Sequence, residues 1–129
     1  MWRVLFAAAI ACIAAPATAA EATFHPGRFA APPTAPDIGR TWLADGYSCV
    51  TTNLTAGYDV TRTNIIAERI AVVRGGLDVT VGRKTHTLTP GDAFHLPIGT
   101  KRRQTTANRP MSVIAFGYGP YDTPKNRCR

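Results

Sequence analysis

At 129 residues, 45% of them hydrophobic, the chain has room for one domain and not for several. Its 15 lysines and arginines against 8 acids give a formal charge of +7, yet only Lys101-Arg102-Arg103 forms a basic run. No nucleic-acid-binding motif accompanies that run, so no nucleic-acid partner is expected. No Ser-His-Asp, CxxC, HExxH or phosphate-loop pattern is present, which leaves nucleophilic and nucleotide chemistry without support.

The chain opens on Met1-Trp2-Arg3, followed by an apolar run over residues 4–15, a break at Pro16 and the small-x-small group Ala17-Thr18-Ala19. That is the layout of a secretory signal peptide. A membrane-spanning helix needs ~20 apolar residues, more than this run supplies. Residues 1–20 are therefore expected to leave as a leader cut after Ala19 or Ala20, giving a secreted or periplasmic protein free of the membrane. Lipid attachment at Cys12 does not fit, because the preceding run is short and Ala9 stands three positions upstream. Removing the one arginine of the leader, Arg3, takes the formal charge from +7 to +6, a mildly cationic surface suited to anionic surroundings. Cys12 also leaves, and the remaining Cys49 and Cys128 are natural disulfide partners in an oxidising compartment. Such a bridge would close a loop of about eighty residues, worth roughly 4 kcal/mol of chain entropy.

Residues 21–40 follow as a Pro-rich arm. The segment HPGRFAAPPTAPD over 25–37 carries four prolines and predicts an extended, polyproline-like chain rather than a helix. The folded barrel is expected over 41–120 and a tail over 121–129. Within 41–120, strands are predicted at 47–53, 60–66, 69–73, 77–81, 85–88, 93–96, 102–106 and 111–116, with Gly, Pro, Asn and Asp turns between them. Leu77-Asp78-Val79-Thr80-Val81 alternates apolar and polar with period two, as a half-buried strand does. No segment shows a sustained helical period. Seven or eight short strands predict an all-β sandwich or barrel.

The spacing of Gly57, Glu68, Gly75, Gly91-Asp92 and Pro97-Ile98-Gly99 resembles the two motifs of the cupin superfamily, in its small single-domain, cupin-2-like form. The likeness spans residues 57–116 and implies a double-stranded β-helix, or jelly-roll, barrel. It also implies four metal-ligand positions: two histidines before the glutamate and a third histidine beyond Pro-x-Gly. In this chain those positions hold Arg62, Asn64, Glu68 and Arg102. Arginine has no acceptor lone pair and stays protonated. At ~4 Å and an effective dielectric of ~20, a unit pair interacts by ~4 kcal/mol, and a divalent ion doubles the repulsion. No metal and no other cofactor is expected. The resemblance further implies pairing of barrels through sheet edges into a homodimer.

If residues 62, 64, 66 and 68 lie on one strand, alternation brings Arg62, Asn64 and Glu68 to one face, with Arg102 opposite them. Two arginines and an amide around one carboxylate suit the capture of a small anionic molecule. The same set serves equally as a structural ion-pair network in a barrel that binds nothing. His95, between Phe94 and Leu96, is a candidate to line the same cavity, beside the commoner reading of a hydrogen-bonded structural histidine. With Glu68 as acid–base partner and the arginines as an oxyanion clamp, it would make the barrel a metal-independent isomerase or lyase. His25 is expected in solvent on the arm, and His86 on the outside of its hairpin. Tyr47, Tyr58, Tyr118 and Tyr121 read as strand and tail residues.

Overall fold

The computed structural model describes residues 21–129, so the leader expected over 1–20 lies outside the described residues. Ten strands and one helix follow in the order β1 (Thr23–His25), α1 (Ala35–Ala44), β2 (Cys49–Thr55), β3 (Asp59–Thr63), β4 (Ala67–Arg74), β5 (Leu77–Val81), β6 (Lys84–Leu88), β7 (Ala93–Leu96), β8 (Lys101–Thr105), β9 (Met111–Gly119) and β10 (Asn126–Arg127). They form a six-stranded sheet, β1-β7-β4-β9-β2-β10, facing a four-stranded sheet, β3-β8-β5-β6. Neighbouring strands are antiparallel except β10, which runs parallel to β2. The eight strands anticipated from the sequence are all present, joined by the short β1 and β10. Among the described residues no helix is long and apolar enough to cross a membrane.

Strand alternation divides the apolar residues between two cores. Ile70, Val72, Phe94, Leu96, Ile114 and Phe116 of the larger sheet meet Leu77, Val79 and Leu88 of the smaller one inside the barrel. The intervening residues Ala71, Ala93 and Ala115 point outward and are covered by Ile38 and Trp42 of α1, with Phe29, Tyr47, Cys49 and Cys128. Small side chains on that outer face let the helix lie close. Gly117 is the extreme case, since a Cβ there would sit 2.7 Å from a Trp42 ring carbon.

The helix corrects the extended chain expected up to Asp37. Thr34 caps it, its hydroxyl accepting from the Asp37 amide at 3.3 Å, and Asp37 places an acid in the first turn. Pro36 falls in that first turn, where the missing N–H would have had no intrahelical acceptor, so it starts the helix instead of preventing it. Ile38 and Trp42, four apart, supply the buried stripe.

Chain crossings between the sheets occur at corners, and Gly75 makes one of them. Its φ is +81°, and a Cβ would lie 2.7 Å from the Met111 carbonyl oxygen, so only glycine fits. Beside it, Ser112 donates its hydroxyl to the Gly76 carbonyl at 2.8 Å and accepts from the Gly76 amide at 3.0 Å.

Cys49 and Cys128 are bonded, with Cα atoms 5.4 Å apart and a sequence separation of 79. The bond anchors β10 and the chain terminus beneath α1. Removing it by Cys128→Ser should cost about 4 kcal/mol in urea unfolding. Equal unfolding midpoints with and without reductant would show that the purified protein lacks the bridge.

Candidate functional site

The expected run of alternating residues from 62 to 68 is interrupted. β3 ends at Thr63 in the small sheet and β4 begins at Ala67 in the large one, with a crossover over 64–66 between them. Asn64 makes that crossover. Its side-chain amide donates to the carbonyls of Ile66 (2.7 Å), Leu96 (3.1 Å) and Pro97 (3.0 Å). Its backbone also exchanges bonds with the following turn, Gly99 donating to Asn64 and Asn64 to Thr100. Asn64 is therefore a clamp on two loops rather than a member of the cavity set assigned from the sequence. Its Oδ1 is buried without a donor.

Crossing to the other sheet makes Glu68 face Arg62 across the barrel. Arg62 and Arg102 are register partners on β3 and β8 and share the inward face. Two cations so placed repel one another. The Glu68 carboxylate bridges them: Oε2 accepts from Arg102 Nη2 in a short contact, and Oε1 accepts from Arg62 Nη2 at 3.5 Å. Glu68 is 0% exposed and Arg102 1%, whereas the Arg62 side chain is 45% exposed and reaches solvent at the barrel end. Burial first, and then the Arg62 charge, push the Arg102 guanidinium down to about 10, so it remains a cation at neutral pH. The Arg102 Nε and Nη1 have no acceptor among the described residues.

Two residues of this site escaped the sequence reading. The Tyr118 hydroxyl accepts from Arg62 at 3.5 Å, and Tyr118 is the register partner of Glu68. Gln104 lies two residues beyond Arg102 on the same face, fully buried, with neither amide atom partnered among the described residues. The period-two step from Arg102, and the continuation of the 114–116 alternation to 118, are the signals that point to them.

His95 is the clearest correction. Leu96, not His95, pairs with Glu68, and His95 pairs with Arg69 on the outer face. It stands against the Tyr47 ring, centroids 6.2 Å apart, beneath the α1 side of the sheet. Glu68 and His95 therefore lie on opposite faces and cannot act as one acid–base pair. His86 moves the other way: its pairing with Val79 turns it inward, where it packs between Phe24 and Phe94 at 4.9 and 5.2 Å. His25 is exposed on β1, as expected.

No family model and no curated protein matches the sequence. The fold is shared with solved structures. An RmlC-like cupin family protein with a double-stranded β-helix fold from Methanocaldococcus jannaschii superposes with TM-score 0.53 at 13% identity, covering 57% of this chain and 70% of that one. A putative ethanolamine utilization protein Q from Salmonella typhimurium gives 0.50 at 16%, covering 58% of each chain. DMSP lyase DddQ from Ruegeria pomeroyi gives 0.51 at 21%, covering 61% of this chain and only 41% of the lyase. At such identities the likeness shows the fold alone: the chain has the double-stranded β-helix barrel fold of these cupins.

The residues present do not fit the divalent metal that the cupin resemblance implies. Both Glu68 oxygens are engaged by guanidinium groups, two of the four positions are cations, and the Asn64 amide is committed to the backbone. Among the described residues, no group of three or more His, Cys, Asp or Glu could hold a metal. Glu68→Gln should strand two guanidiniums and cost about 3–5 kcal/mol in urea unfolding. The double change Glu68→Leu with Arg102→Met should recover most of that loss, since an apolar pair of similar volume replaces the buried ions. A Glu68→Gln protein as stable as the original would show that the bridge contributes nothing.

Proposed function

We propose that this is an exported, metal-independent cupin-fold binding protein that takes a small anion at the Arg62 end of its barrel. The carrying observation is the imbalance around Glu68: one carboxylate for two guanidiniums, with the Arg102 Nε and Nη1 left without acceptors while buried. A buried donor without an acceptor costs on the order of 1–3 kcal/mol, and an oxyanion offsets both the donors and the excess charge. Carboxylate, phosphate and sulfate all match the planar fork of a guanidinium. Arg62, half exposed and hydrogen bonded to Tyr118, is the side chain that such an anion meets first. Binding is favoured over turnover because the histidine assigned an acid–base role lies outside the barrel. His86, the inward imidazole, is wedged between two phenyl rings.

Export is supported by the leader-like residues 1–20 and by the Cys49–Cys128 bond, a linkage at home in an oxidising compartment. Mass spectrometry of the mature chain should find it beginning at Ala20 or Glu21, and recovery of an uncut chain from the cytoplasm would contradict export.

The competing reading, a purely structural triad, draws on the near-complete burial of Glu68 and Arg102. Thermal unfolding with small dicarboxylates, phosphate and sulfate separates the two. At one hundred times its Kd a bound anion stabilises by about 2.7 kcal/mol, which raises the melting temperature on the order of 10 °C. That rise should disappear in Arg62→Ala, a change at a half-exposed position that leaves the fold intact. No response to any of these anions would overturn the binding proposal.

A further inference from the structure

The outer face of the large sheet carries a second polar cluster, separate from the barrel interior. A hollow of about 260 Å³ opens where β1, the C-terminal end of α1 and the β4–β7 pair meet. His25 comes from β1, Arg28 from the turn after it, Trp42 from α1 and Asp45 from its C-cap. Arg69 and His95 come from adjacent positions on β4 and β7. His95 and His25 lie two residues apart along β7 and β1 respectively, since Thr23 pairs with His95 and His25 with Ala93, so both imidazoles share this face.

Arg69 is held in place in advance of any ligand. Arg69 Nη1 donates to Asp45 at 2.7 Å, and its guanidinium lies 3.9 Å over the centre of the Tyr47 ring. Held on two sides, it loses little freedom when it gains a further partner. Arg28 rests at 5.3 Å over Phe29 and forms no ion pair among the described residues. Asp45 answers one of the two arginines, which leaves one cation in excess. Burial, and then the neighbouring Arg69 and His25, hold His95 below the usual imidazole range, so it presents a neutral ring beside those cations. The remaining wall is Trp42, itself 3% exposed, with Ala93 and Phe94.

The geometry points to a second ligand site on this face, built for a small anion with a flat, unsaturated body: an aromatic or heteroaromatic carboxylate. The carboxylate lies against Arg28 and the free edge of Arg69, and the ring lies among Trp42, His25 and His95. The volume falls just below the ~300–1,000 Å³ of sites for drug-sized ligands, which suits a molecule on the order of ten heavy atoms. Aromatic walls and one excess cation together select such a ligand over a bare inorganic anion, which gains nothing from the rings, and over a neutral arene, which leaves the charge unanswered.

Benzoate is the probe, with benzamide as its uncharged counterpart. Titration of benzoate into the purified protein, followed by the imidazole proton resonances, should shift the His25 and His95 signals saturably. Benzamide should bind at least about tenfold more weakly, as should benzoate to Arg28→Ala and Arg69→Gln. Arg28 lies on an exposed turn, so Arg28→Ala stays folded and decisive even if Arg69→Gln, which loses the Asp45 contact, does not. Arg62→Ala should leave the benzoate affinity read from the His25 and His95 signals unchanged, which keeps this site distinguishable from the barrel site. Absence of any His25 or His95 shift at low millimolar benzoate would overturn the proposal. So would a loss of binding in Arg62→Ala with Arg28→Ala unaffected.

Discussion

A carboxylate on one sheet facing two guanidiniums on the other sets the character of this barrel. Arg62 and Arg102 are directly opposed on β3 and β8, an arrangement that is unfavourable alone and more so where Arg102 is 1% exposed. Glu68, arriving from β4 of the larger sheet, gives one oxygen to each. The bridge therefore fastens the two sheets at the end of the barrel while it offsets the desolvation of the charges it joins. Its geometry depends on the crossover at residues 64–66, and that crossover depends on the three backbone carbonyls held by Asn64. In the resemblance to cupins these positions carry metal ligands. Here they carry an ion-pair network and a loop clamp.

The opposite side of the large sheet solves a different problem. Alanines and Gly117 on that face leave no bulk of their own, so α1, Trp42 and the disulfide-anchored tail supply the cover. Where that cover ends, the cavity lined by His25, Arg28, Arg69 and His95 begins. One strand, β4, thus presents Glu68 to the interior and Arg69 to the exterior, and each anchors its own cluster.

Much of the fold was legible because alternation and turn residues are local signals. The strands at 77–81 and 93–96 match their predicted limits, and the glycine and proline spacing led to the cupin barrel. The helix was obscured because Pro32, Pro33 and Pro36 suggested an extended chain. The Thr34–Asp37 cap and the Ile38–Trp42 stripe were the stronger signals, since a proline in the first helical turn breaks no hydrogen bond. β1 and β10, of three and two residues, are too short to carry a pattern. In the site, the meeting of Arg62, Glu68 and Arg102 followed from motif spacing. The faces of His86 and His95 did not, because they depend on pairing register, which a single strand's sequence does not contain. Asn64 was misplaced for a related reason: a period-two count assumes an unbroken strand, and the chain changes sheets at that residue.

The positions around Glu68 hold charges against one another, an arrangement that does not fit a divalent metal. Elemental analysis of the purified protein, repeated after incubation with manganese, iron, nickel and zinc salts and exhaustive dialysis, tests it most directly. Substoichiometric metal throughout, and no rise in melting temperature with any of these ions, is the expected result. Stoichiometric metal that survives dialysis and is lost in Glu68→Gln would contradict it.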